Sequence, residues 1–163
     1  MTVITDTSVV LNLCLIGQEQ SLAKVFDEVH APITVKQEFE RLVSEDARFK
    51  GLNFPAFIQV HWPTLLWPDL VLDPPLDPGE SDAMKLAVWL EADIILIDEA
   101  AGRLAAQKLG MKTMGLLGIL LDAKSRGLIS RLKPLLNDLS LRGRFWISPA
   151  LRSSVLRLAD EED

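Results

Sequence analysis

Apolar positions along this chain recur with two different periods, and the switches between them mark out its elements. The opening TVIT (2–5) is a short β-branched run that stops at Asp6, and SVVLNLCLI (8–16) resumes the apolar character at once. The first reads as a buried strand and the second as an apolar helix. SLAKVFDEV (21–29) has helical spacing, PITV (32–35) is expected as a second strand, and KQEFERLVSE (36–45) as a helix. FIQVHW (57–62) alternates like a strand, and the Pro-rich WPTLLWPDLVLDPPLDPGE (62–80) reads as a long loop. ESDAMKLAVWLEA (80–92) is expected as a helix, DIILI (93–97) as a buried strand, and EAAGRLAAQKLG (99–110) as a helix closed by Gly110. MKTM (111–114) follows as a strand and LLGILLDAKSRG (116–127) as a helix closed by Gly127, with the remainder mostly helical.

Parallel strands need long crossovers, which helices supply. The pattern therefore predicts an α/β fold, a parallel sheet with helices on both faces in three layers, α/β/α. In such sheets ligands gather outside the carboxyl ends of the strands. Two aspartates are expected at that edge, Asp6 after TVIT and Asp98 after DIILI, with Glu99 directly behind. Glu38 falls in the first turn of the helix after PITV, and Glu80 and Asp82 at the start of another helix.

Each acid also has a plain structural role open to it. Asp6 can cap the helix that begins near Ser8, as can Ser8 itself, and Thr7 and Ser8 can instead hold Asp6 in place. LDPGE reads as a capping box, with Asp77 as the cap, Pro78 at the first helical position and Glu80 reaching back. Glu38 and Glu99 suit helix N-termini. Gathered at one point, however, several carboxylates raise one another's pKa, and a hard divalent ion such as Mg²⁺ or Mn²⁺ removes that repulsion.

Composition narrows the class. At 163 residues with 48% hydrophobic and 25% charged residues, one globular domain is expected. The single Cys14 rules out an internal disulfide and suits a reducing cytoplasm. No basic region precedes the N-terminal apolar run, so no signal peptide is expected, and nothing approaches the roughly 18 apolar residues of a membrane helix. The net charge of −6 hides a split: residues 1–102 hold six Lys/Arg against seventeen Asp/Glu, residues 103–157 eleven against two, and LADEED adds four acids. An acidic, cation-binding pocket beside a basic face able to hold a phosphodiester backbone is one account, and uneven surface charge the other. The acidic tail Asp160–Asp163 can fold against the basic half, but disorder is the expectation. His30 and His61 lie apart and make no zinc-type pair, so both are expected to be structural. No P-loop or GxSxG motif is present.

The stretches ITDTSVVLNL, APITVKQEFE, LDPGESDAMKLA and ADIILIDEAAGRLAAQKLGMKTMGLLGILLDAKSRGLI together resemble a PIN domain, and more narrowly the DUF3368 branch related to VapC-type toxins. RFWISPALRSSVLRLADEED is similar to that branch's C-terminal tail. The resemblance implies a metal-dependent ribonuclease core over 1–127 and a helical extension with an acidic tail over 128–163. It makes Asp6, Glu38, Glu80 and Asp98 the catalytic acids and metal ligands for Mg²⁺ or Mn²⁺. Thr7, Ser8, Glu99 and Arg103 are candidate supporting residues; Arg103, a turn into the helix after Asp98, can reach a substrate phosphate, with a solvated surface charge as its plain alternative. Helical spacing puts Glu80 and Asp82 on opposite flanks of the buried stripe and leaves the choice open; the resemblance selects Glu80, with Asp82 secondary. RNA as substrate, an antitoxin partner and a homodimer are further implications.

Two other classes compete. One is a catalytically weak scaffold that binds proteins: Trp62, Trp67, Trp89 and Trp146 are more aromatic bulk than a small core needs, although burial is the default for each. The other is a phosphatase with an aspartyl nucleophile, which needs a second acid two residues after Asp6, where Ser8 stands.

Overall fold

The computed structural model describes all 163 residues, Met1–Asp163. Its centre is one sheet of five parallel strands: β1 (Thr2–Thr5), β2 (Glu28–Pro32), β3 (Gln59–His61), β4 (Ile94–Leu96) and β5 (Lys112–Met114), in the order β3-β2-β1-β4-β5. Eight helices connect and flank them: α1 (Thr7–Leu15), α2 (Gln20–Val25), α3 (Ile33–Glu45), α4 (Pro78–Trp89), α5 (Ala100–Lys108), α6 (Leu116–Ser125), α7 (Lys133–Leu141) and α8 (Pro149–Leu158). The fold is α/β, as the alternation of elements requires.

The sheet is buried on both faces, so β1 and β4 carry no polar alternation. Val3, Val29, Ala31 and Leu96 face a core built with α1, α2, α3 and α6. That core also takes in Ile129, Leu132, Leu136, Leu139, Val155 and Leu156, so α7 and α8 share it. On the opposite face Ile4, Ile95 and Ile97 pack against Met84, Leu86 and Ala87 of α4. Burying a side chain of Leu or Ile size is worth about 1.5–3 kcal/mol. The two faces together give β1 its place at the centre.

Several expectations need correcting. The second strand is EVHAP (28–32), not PITV: Val29 and Ala31 are buried in the core, and Ile33, Thr34 and Val35 already belong to α3. Glu38 consequently lies in the second turn of α3, and α2 ends at Val25. The two histidines are not apart. With β2 and β3 adjacent, His30 Nδ1 and His61 Nε2 are 2.8 Å from each other in one hydrogen bond, and Glu28 lies 3.3 Å from His30 Nε2. The acidic tail folds onto the basic half. Glu161 accepts the Lys133 amide at 3.0 Å and the Lys124 ammonium at 3.0 Å, and Asp163 pairs with Arg152 at 3.0 Å. The tail thus supplies the acceptors that the N-terminus of α7 lacks among its own residues. Of the tryptophans, Trp67 is buried, whereas Trp62, Trp89 and Trp146 are exposed. No helix is long and apolar enough to cross a membrane.

Candidate active site

Asp6 immediately follows β1, and its amide donates to Leu96 O of β4 at 3.1 Å. It is the N-cap of α1, its Oδ1 accepting the Val9 amide at 2.9 Å. Its other oxygen receives only the Ser8 hydroxyl at 3.4 Å. The question whether Asp6 is a cap or a strand-end acid has both answers, one for each oxygen. Asp98, two residues past β4, repeats the arrangement. Its Oδ1 accepts the Leu116 amide at the start of α6 at 2.9 Å, while its Oδ2 is buried without any partner. Gly115 makes room for this bond, since a Cβ there would lie 2.6 Å from Asp98 Oδ1.

Glu38 reaches the same region from α3. Thr7 donates its hydroxyl to Glu38 Oε2 at 2.8 Å, and a Cβ on Gly79 would approach that oxygen to 2.9 Å. Gly79 therefore lets α4 begin against α3 without displacing the carboxylate. Asp77 caps α4 by accepting the Glu80 amide at 2.8 Å. Half of the expected capping box is present: Glu80 does not return a bond, and its carboxylate is buried in the pocket instead.

Asp6, Thr7, Ser8, Glu38, Asp77, Glu80 and Glu99 enclose a cavity of about 50 Å³, room for a water or a small ion. Asp98 borders the neighbouring cavity together with Glu99 and Arg103. Asp82 is not part of the pocket. On the other flank of α4, it accepts the Thr34 hydroxyl at 3.0 Å and ties α4 to α3. Asp77 belongs to the pocket, although in the sequence it reads only as a cap. Its distinguishing signal is position, at the same helix start that delivers Glu80.

The electrostatics are those of uncompensated negative charge. Burial pushes the Asp6 carboxyl well above its usual range, and the charges of Asp98 and Glu80 push further, against the Val9 and Ser8 hydrogen bonds. Burial raises Asp98 too, offset by the Leu116 amide and by the nearby Arg103 guanidinium. Glu80 is pushed up to about 7, by burial first and then by Asp77, Glu99 and Glu38. The carboxylates surround the space rather than converge on one point, and no three His, Cys, Asp or Glu side chains form a group able to hold an ion by themselves. An all-carboxylate donor set, with one buried oxygen lacking any partner, fits a hard cation that keeps several waters.

A family model described as DUF3368: PIN domain matches residues 2–161. The chain belongs to this family of PIN domains. No curated protein and no solved structure matches it. PIN domains are usually nucleases, and in this PIN domain the acids stand at the carboxyl edge of β1 and β4, where an α/β sheet binds its ligand.

Proposed function

We propose that this PIN domain is an endoribonuclease that cleaves RNA phosphodiester bonds with Mg²⁺ or Mn²⁺, and that it is the toxin of a toxin–antitoxin pair. The observation that carries the reading is the matched design of Asp6 and Asp98. Each gives one carboxylate oxygen to a helix amide, which fixes its orientation; the second oxygen meets only the Ser8 hydroxyl at 3.4 Å in Asp6 and nothing in Asp98. Two strand ends that need only caps would have no reason to keep a buried oxygen unpartnered.

When bound, a divalent cation neutralises charge on the scissile phosphate and eases removal of a proton from water. Asp98 would hold it through its unpartnered oxygen and Asp6 through the oxygen that meets only the Ser8 hydroxyl. Glu38, fixed by Thr7, and Glu80 would orient the attacking water. As the water oxygen bonds to phosphorus, the P–O bond to the leaving ribose oxygen breaks. One water proton passes to a carboxylate, the other stays on the new phosphate oxygen, and the leaving ribose oxygen takes a proton from solvent. Arg103, which shares a cavity with Asp98, would reach a phosphate oxygen.

Asp98→Asn keeps the acceptor for the Leu116 amide, so it should abolish Mn²⁺-dependent cleavage of an RNA substrate with little change in the unfolding midpoint. An Asp98→Asn protein that cuts RNA at the wild-type rate would overturn the assignment. A second reading has its own support: Trp62, Leu65, Leu66 and Val71 are exposed in the long loop after β3, which suits a protein-binding scaffold, a homodimer contact or an antitoxin seat. Calorimetry separates the two, because a scaffold without the reaction takes up no Mn²⁺ at the acids.

A further inference from the structure

Residues 103–157 hold eleven Lys/Arg, and the structure sorts them. Six are engaged in ion pairs: Lys108 with Asp73, Lys124 with Glu161, Arg126 with Asp122, Lys133 and Arg152 with Asp163, and Arg142 with Asp138. That leaves five of the eleven, and two of these, Arg103 and Arg144, line cavities that border the acids. Arg144 lines a cavity of about 350 Å³ that reaches Thr7, Ser8 and Glu38. Arg103 lines one of about 390 Å³ that reaches Asp98. Glu99 and Phe145 line both cavities and Glu99 also lines the acid pocket, so the two cavities adjoin beside the acids and together outline one groove.

Trp146 lines the Asp98 half of this groove and is 81% exposed. Its segment is held firmly. Gly143 packs so closely on α1 that a Cβ would lie 3.1 Å from Asn12 Oδ1, and Arg48 donates to Gly143 O at 2.9 Å. Arg144 keeps a left-handed backbone, φ 52°, which costs a non-glycine residue on the order of 1 kcal/mol.

We infer that the groove is the track of a single RNA strand, with an unpaired base stacked on Trp146 and the phosphates on either side of the cut held by Arg144 and Arg103. This deepens the nuclease reading and rests on it. An indole face offers a base nothing but stacking, and only an unpaired base can present its own face. Charge favours RNA over a protein occupant. A peptide basic enough to suit the acids would be repelled by two arginines outside any ion pair, whereas a polyanion satisfies both arginines.

The test is binding of a fluorescein-labelled oligoribonucleotide, single-stranded or annealed to its complement, in chelator so that no cutting is required. Trp146→Ala should weaken single-strand binding roughly five- to hundred-fold, the loss of one base–aromatic stack, while Trp146→Phe keeps most of the affinity. Single-stranded RNA should quench the wild-type tryptophan emission more than that of Trp146→Phe. Arg103→Gln and Arg144→Gln should each lower the slope of log affinity against log salt by about 0.7. Wild-type affinity in Trp146→Ala would overturn the track, as would equal binding of the duplex. So would a Trp146→Ala protein whose only change is a smaller sedimenting species, which would mark a contact between copies. A Trp146-dependent complex that Mn²⁺ never cleaves would keep the track and remove the nuclease; cleavage indifferent to Trp146 would do the reverse.

Discussion

Glu80 is only 8% exposed, and its neighbours Asp77, Glu99 and Glu38 bring no positive charge. Its carboxyl moves from 4.5 in the unfolded chain to about 7 in the folded one, so the folded state binds this proton more tightly. Stability is unaffected below about pH 4.5, where both states are protonated. It falls as pH rises from there to about 7, and the full penalty applies above. At 1.36 kcal/mol per pH unit, the penalty has a ceiling of about 3.4 kcal/mol. Solvent screening at the pocket mouth lowers it, and an ionised Glu80 in the first turn of α4 recovers about 0.3–1 kcal/mol from the helix N-terminus. The remainder is about 2 kcal/mol.

Glu80→Gln removes the charge and keeps the shape, and its amide can donate to the surrounding carboxylates. In chelator at pH 8 the variant should therefore be more stable than wild type by about 2 kcal/mol, or roughly 4–8 °C in a domain of this size. At pH 4 the two should melt together. Saturating Mn²⁺ should narrow the gap at pH 8, since an ion binding only the native state adds stability in proportion to its affinity, which the extra carboxylate increases. Urea and thermal melts at pH 4, 6 and 8 measure all of this. A variant less stable than wild type at pH 8, or one shifted equally at both pH values, would refute the account of Glu80 as a strained acid of the pocket.

Four other variants test the same geometry. Gly115→Ala puts a methyl 2.6 Å from Asp98 Oδ1 and must dislodge it from the Leu116 amide, so melts should show a loss of about 1–3 kcal/mol and RNA cleavage should fall by a larger factor. Gly118→Ala, whose methyl meets only the flexible Met114 side chain at 3.0 Å, should be nearly neutral in both. Against the upward push of burial, the Leu132 and Lys133 amides and the Lys124 ammonium hold Glu161 down at about 2, so its contribution is complete above pH 4.5 and fades toward pH 2. Glu161→Gln should cost about 1 kcal/mol at pH 7 by urea melts and little at pH 2. His61 is held below its ordinary value by burial and by His30, so stability should fall as pH drops through 6.5, because the unfolded chain takes that proton more readily. His61→Gln should flatten this slope between pH 5 and 7; an unchanged slope would exclude His61 as its source.

How much of this was legible in the sequence depended on the range of the interaction. β1, β4 and the acids after them could be read because a strand buried on both faces is an unbroken apolar run, and a carboxylate that ends it is conspicuous. β2 was misplaced because Ile33, Thr34 and Val35 have strand-like propensity, yet burial of Val29 and Ala31 outweighs it and starts α3 directly after Pro32. Helical spacing left Glu80 and Asp82 equivalent, and only the position of α3 separates them, with Thr34 taking Asp82. The His30–His61 pair depends on β2 and β3 being neighbours, and the seat of Glu161 on the tail reaching both Lys124 of α6 and the start of α7; neither leaves a local trace. Arg144 and Trp146 carry no periodic signal at all, being surface residues of the loop between α7 and α8.

The two groups of acids also set the domain's response to pH in opposite directions. Asp6, Glu80 and Asp98 are all raised by burial, so in the cation-free protein each makes neutral pH less favourable than mild acid. Asp46, held at about 2 by its hydrogen bonds from Arg48, and Glu161 act the other way and weaken the fold as pH falls below about 4. Cation-free protein should therefore be most stable in mildly acidic solution, between the window where the second pair is lost and the window where the first three ionise, the three carboxyls outweighing the single opposing His61. Adding Mn²⁺ should move that optimum upward, because an ion at the acids favours their charged forms while leaving Asp46 and Glu161 untouched. An optimum that stays in place when the ion is added would mean that the raised carboxyls are merely buried, with no cation linked to their ionisation.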